Sequence, residues 1–206
     1  HDARHRILDI WPGFHEGALY GLAIDLGSTT IAAHLCDLRD GAVLASAGVM
    51  NPQIRFGEDL MSRVSYAMMN PGGDKEMTSA VRTALNGLVQ SISTEANIDP
   101  ASIYELVFVC NPVMHHLLLG IDPVELGQAP FALATSGSLV LDAHDLDLKA
   151  VNHAARVYIL PCIAGHVGAD CAAVALAEEP NKSEDMVLIV DVGTNAEILL
   201  GNKTRV

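Results

Sequence analysis

The sequence predicts an α/β fold with elements in the order βββαβαβα, followed by the first hairpin of a further β unit. Three observations predict it: apolar runs of strand length near both ends, a long helical period between them, and Gly/Pro punctuation at the joints. Half of the 206 residues are apolar and 18% are charged, enough for one large domain or two small ones and too apolar for a disordered chain.

Residues 19–25 are a continuous apolar run stopped by a glycine, which predicts a buried strand. Residues 29–38 start with β-branched side chains and predict a second strand. The turn "DLRDG" leads to a third at 42–50, completing a meander. Gly57-Glu58-Asp59 opens a short helix with Leu60, Val64 and Met68 on one face, and Pro71-Gly72-Gly73 ends it. A long helix follows at 75–97, its apolar positions being Met77, Val81, Leu85, Leu88, Val89 and Ile92; "IDPAS" closes it. Residues 106–110 predict a strand and 114–119 a short helix ended by Gly120. Residues 121–155, with Pro123, Pro130 and "TSGS", predict loop and short strand. Residues 157–160 are a strand stopped by Pro161, 165–178 a helix of small residues, and 186–190 and 197–200 the final pair of strands.

The formal charge of −13 argues against a nucleic-acid partner, because phosphodiester binding needs a basic surface. No apolar run reaches the roughly 20 residues of a membrane-spanning helix, and the amino-terminal stretch "HDARHRILDIWPGF" lacks the layout of a signal peptide. Cys36, Cys110, Cys162 and Cys171 lie far apart or inside apolar runs with no C-x-x-C pair. That suits reduced, buried thiols of a cytoplasmic protein and gives no support to a cysteine-ligated zinc or iron–sulfur site. The chain begins without Met, so it is expected to be a piece of something longer.

Two stretches share one pattern. "LYGLAIDLGSTT" and "MVLIVDVGTNAE" each end an apolar run on an acid, then a glycine, then polar residues. A single Asp-x-Gly after a strand reads most simply as a tight turn. Two copies at equivalent points of successive β units, with the Ala-rich helix before the second, read as a pair of phosphate motifs. The element order resembles the ribonuclease-H-like half-domain, two of which make the actin-like ATPase fold of acetate kinases, sugar kinases, actin and the large heat-shock chaperones. "DLGSTT" resembles that superfamily's first phosphate motif, "DVGTNAE" its second, and "GADCAAVALA" its first connecting motif.

This resemblance implies roles. Gly27 and Gly193 would admit the phosphates to the backbone N–H groups, and Ser28, Thr29, Thr30, Thr194 and Asn195 would add donors. Asp25 and Asp191 cannot touch phosphate, but they can hold a hydrated Mg²⁺ and orient the attacking water. Asp170, on the small-residue helix, is either a third acid for magnesium or water, or the partner of His166 four residues earlier.

"NPQIRFGEDLMSRVSYA", "NPVMHHLLLGIDPVELGQAPF" and "LPCIAGHVGAD" are similar to the ATP-dependent reductive activators of corrinoid proteins, from about residue 20 to the end. Cys110 stands where that family often has a glycine. The resemblance implies ATP and Mg²⁺ as ligands and a corrinoid protein of a methyltransferase system as partner. It also implies reduction of Co(II) corrinoid to Co(I) by electrons from an iron–sulfur domain that would precede this chain. It divides the sequence into a linker (1–18), a first half-domain (19–180) and the truncated start of a second (181–206). Half a cleft should hold nucleotide weakly. A sugar- or acetate-kinase-like phosphotransferase and a non-catalytic, protein-binding half-domain are the competing readings.

Among the remaining residues, His115 and His116 point about 100° apart on a helix and cannot share one ion, so they are expected at the helix surface or a domain contact. Asn111 is either a helix N-cap or a cleft residue. Gln53 and Arg55 are expected in a loop covering the cleft, Met68, Met69 and Met77 in the core, and Glu197 as a plain strand residue. The final hairpin is expected to pair with a neighbouring chain, as in a homodimer, or to pack back on the first sheet.

Overall fold

Strands β1 (Tyr20–Leu26), β2 (Thr30–Asp37) and β3 (Val43–Met50) form an antiparallel meander that begins a six-stranded mixed sheet. A computed structural model describes residue 7 and residues 9–14, 17–193 and 196–205. Strand β4 (Ile103–Cys110) lies parallel to β1, and β6 (Arg156–Ile159) parallel to β4. The short β5 (Leu139–Asp142) closes the far edge antiparallel to β6, giving the order β3-β2-β1-β4-β6-β5. It falls in the stretch expected to be loop and short strand.

The crossover from β3 to β4 is helical. Asn51 caps a 3-10 turn over Pro52–Phe56, Asp59 caps α1 (Leu60–Met69), and α2 (Gly73–Glu95) follows. The six apolar positions of α2 named from the sequence are all buried, none more than 2% exposed. They pack with Leu22, Ile24, Leu26, Ile31, Leu35, Leu106 and Phe108 in one core on one face of the sheet. Each such side chain contributes roughly 1.5–3 kcal/mol on removal from water, which explains why the longest helix lies over the strands with the clearest alternation.

Helix α3 (Pro112–Leu119) starts at the Asn111 cap and ends at Gly120, whose left-handed φ of 76° lets its N–H reach the carbonyls of His116 and Leu117. Helix α4 (Ala169–Glu178) packs its first turn against β4. Strands β7 (Val187–Val192) and β8 (Ala196–Gly201) make a separate two-stranded sheet, with no backbone ladder to the first among the described residues. One face of this hairpin, including Leu188, Val190, Ile198 and Leu200, is exposed.

Several expectations change. Strand β1 is not buried on both faces: Leu22, Ile24 and Leu26 enter the core while Ala23 and Asp25 face outward. His115 and His116 are 0% and 1% exposed rather than at the surface, because residues 112–118 of α3 are buried on every side. Met77 is buried, but Met68 and Met69 are exposed; α1 buries Arg63 and Val64, and its last turn runs past the core. The helix of small residues starts at Ala169, not 165, since Ala164 and Val167 form a tight β-bridge first.

Candidate functional site

Asp25 sits at the carboxyl end of β1, paired with Ala32 of β2 and Val109 of β4. The chain then reverses through residues 27–30. The fit at Gly27 is close: a Cβ there would lie 2.6 Å from the carbonyl oxygen of Thr30. Behind this loop, Asn51 donates its Nδ2 to Gly27 O at 2.8 Å, and Arg63 donates its Nη2 to Ser28 O.

Asp170 comes to the same place from α4. A Cβ on Gly168 would meet Cys110 O at 2.5 Å and Asn111 Cα at 2.6 Å, so only glycine lets α4 begin this close to the end of β4. Asp170 Oδ1 accepts the N–H of Cys171 at 2.9 Å, which fixes the carboxylate at the start of the helix. Asp191 and Glu197 arrive from the hairpin as a cross-strand pair on its inner face.

These pieces surround one cleft of about 520 Å³, lined by Asp25, Gly27, Ser28, Thr29, Thr30, Asn111, Asp170, Asp191, Gly193 and Glu197. The structure thus brings Asp25, Gly27, Ser28, Thr29, Thr30, Asp191 and Gly193 of the two motifs together with Asp170. Thr194 and Asn195 lie outside the described residues. Two further residues join the cleft. Glu197 lines it as well as being a strand residue, and Asn111 does both things expected of it, accepting the Met114 N–H at 3.0 Å as a cap while bordering the cavity.

Among the described residues, four carboxylates and no cationic side chain line this cleft. Loss of hydration at its floor raises the pKa of Asp25, and the charges of Asp170 and Asp191 raise it further. Burial likewise raises Asp170, with Asp191 adding to it, and Glu197 rises through burial and then the charges of Asp170 and Asp191. Asp25 is exposed by area, so its shift is screened and has no large energetic weight. The pattern is that of acids gathered without a counter-charge, which a divalent cation would relieve. Among the described residues no three of His, Cys, Asp and Glu stand close enough together to chelate a bare metal ion.

Other expected site residues fall elsewhere. His166 precedes α4, so it is not four positions from Asp170 on one helix; its ring packs against Phe131 with centroids 4.1 Å apart. Gln53 and Arg55 do not cover the cleft. Gln53 is fully buried in the 3-10 turn and donates to Met77 O at 2.9 Å, while Arg55 lies over the Phe56 ring at 4.6 Å. A second cavity of about 780 Å³ adjoins the cleft and shares Glu197 with it; Leu60, Met61, Val113, Leu126 and Ile198 give it an apolar wall.

The family model described as "RACo middle region" matches residues 20–183. The chain belongs to that family. The corrinoid activation enzyme RamQ of Eubacterium limosum is 35% identical to it over 199 residues, which is 96% of this chain and 33% of that protein. A solved structure titled as a reductive activator for corrinoid, iron-sulfur protein superposes with a TM-score of 0.91 at 34% identity, covering 96% of this chain and 31% of that one. The chain therefore spans about a third of the length of these two relatives. The superposition shows the same mixed α/β architecture over this part of the solved structure.

Proposed function

We propose that this chain supplies one wall of an Mg²⁺-ATP site in a reductive activator of a corrinoid protein, and that the whole protein couples ATP hydrolysis to reduction of Co(II) corrinoid to Co(I). The observation that carries this reading is the meeting of two Asp-x-Gly turns, from two separate sheets, with Asp170 on one cleft. The six-stranded sheet and its helices, residues 19–180, stand as a ribonuclease-H-like first half of an actin-like ATPase, and residues 181–206 as the opening hairpin of the second. Electrons would come from an iron–sulfur domain outside this sequence.

The residues present fit the ligand. The backbone around Gly27 and Gly193 can approach phosphate oxygens, and the hydroxyls of Ser28, Thr29 and Thr30 add donors there. Thr194 and Asn195 would extend the set from the second turn. Asp25 and Asp191, with Asp170, would hold a magnesium ion through its water shell, and that ion would neutralise charge on the phosphates. The same acids can take a hydrogen bond from an attacking water and keep it oriented.

The test uses the full-length protein with ATP, a chemical reductant and its corrinoid protein, watching the cobalt absorption. Co(I) should accumulate with ATP present, and Asp25→Ala should cut its rate by at least about a hundredfold, the usual scale for loss of a positioning acid. Unchanged Co(I) formation in that variant overturns the assigned roles. The adjoining cavity of about 780 Å³ favours one second reading, a phosphotransferase whose small acceptor sits beside the phosphates. A phosphorylated small-molecule product, with ATP turnover indifferent to corrinoid protein, would establish that instead.

A further inference from the structure

The first phosphate turn rests on two polar side chains that are entirely buried. Arg63, on α1, and Asn51, before the 3-10 turn, are each 0% exposed. Besides Ser28 O, Arg63 donates its Nε to Gly57 O at 2.9 Å and its Nη1 to Met114 Sδ at 3.1 Å and Gln53 Oε1 at 3.4 Å. Asn51 takes Gly27 O with its side chain, and its backbone N–H donates to Thr29 O at 2.8 Å. The carbonyls of Gly27 and Ser28 are therefore held by buried side chains, and that of Thr29 by the Asn51 backbone, which continues the pairing of β2 with β3.

Every peptide bond in this loop is trans, and a trans peptide directs its C=O and N–H in opposite senses. Fixing the Ser28 carbonyl on fully buried Arg63 turns the N–H of the same plane, that of Thr29, away from the core, on a loop whose residues 27–30 line the cleft. The holder of the middle carbonyl is a cation. Burial pulls the Arg63 pKa down to about 10, so the guanidinium stays charged at neutral pH. A buried charge costs several kcal/mol of hydration, and an apolar side chain would fill the same space at less cost if packing were its whole role. Its hydrogen bond polarises the Ser28–Thr29 peptide group, strengthening the N–H at the other end.

We infer that Arg63 is a positioning residue: it acts through the Ser28–Thr29 peptide to present a polarised N–H donor to an anionic phosphate in a cleft whose described lining residues include no cationic side chain. Asn51 completes the cradle. The inference rests on the nucleotide reading above and adds to it the origin of the positive potential in the first turn.

Two measurements on the full-length protein separate the inference from that reading. Amide exchange at residues 27–30, without nucleotide, should quicken about tenfold in Arg63→Lys, which keeps the charge but loses the planar fork. Titration calorimetry with Mg²⁺-ATP, Mg²⁺-ADP and adenosine should show ATP weakened about tenfold in Arg63→Lys and about a hundredfold in Arg63→Met, with adenosine within about twofold of wild type. A role confined to tying α1 to the core would weaken all three ligands alike, or none, and would overturn the inference. Unchanged exchange in Arg63→Lys would overturn it too. If Arg63→Met fails to fold, Asn51→Ala serves in its place, with the same ordering of ligands expected. Wild-type protein that binds no nucleotide overturns the nucleotide reading itself, while the exchange result still decides whether Arg63 holds the loop.

Discussion

His115 is a buried polar side chain outside the cleft. Its ring is fully buried, neither nitrogen has a hydrogen-bond partner among the described residues, and burial, with help from His116, lowers its pKa from 6.5 to about 4. His116 beside it is satisfied, with Nδ1 2.9 Å from Pro112 O and Nε2 accepting the Ala134 N–H at 3.1 Å. Because the folded ring of His115 stays neutral, the unfolded chain takes up the proton more readily between pH 6.5 and about 4. Stability is thus full above that window and is lost as pH falls through it, by about 2 kcal/mol between pH 7 and pH 5. His115→Leu should remove that part of the slope and raise the urea midpoint at pH 5; parallel slopes for variant and wild type would show the ring to be hydrated. At this scale the acids of the cleft were readable, because Asp25 and Asp191 each stand at a fixed place between an apolar run and a glycine. Arg63 was not readable. A lone arginine on an amphipathic helix looks like any solvated one, and its burial depends on Gly57, Gln53 and Met114, which the sequence does not bring together.

Elements were legible where their period was long or their punctuation strong. Helix α2 and the β1–β2–β3 meander lie within a residue or two of the expected bounds, since burial on one face selects the same positions that the pattern marks. The start of α4 was misread because "GHVGAD" continues the small-residue composition of the helix while its backbone makes a tight bridge first. The bridge lies directly before Gly168, where the approach to the end of β4 leaves no room for a Cβ. Gly168→Ala would place a Cβ 2.5 Å from both Asp170 Oδ1 and Cys110 O. Such overpacking costs about 1–3 kcal/mol, or a thermal midpoint lower by about 3–9 °C, and shifts Asp170 away from Asp25. Calorimetric scanning together with ATP titration should show both losses, whereas the exposed Gly87→Ala, which meets nothing within 4 Å, should show neither.

Across the whole molecule the dominant fact is charge. A chain of formal charge −13 gathers four carboxylates on one cleft, and three of them have raised pKa values. In the folded state these three keep their protons to higher pH than in the unfolded chain, so their contribution falls as pH rises above the ordinary carboxylate range. A divalent cation bound at neutral pH would offset that loss by mass action. Millimolar Mg²⁺ should therefore raise the thermal midpoint at pH 7.5 and do so less at pH 5, where protons compete; an equal shift at both pH values, or one matched by added NaCl, would mean screening alone. The hairpin that carries Asp191 and Glu197 has no backbone ladder to the sheet that carries Asp25. A cation that linked these acids would add a tie between two sheets that no backbone ladder joins among the described residues.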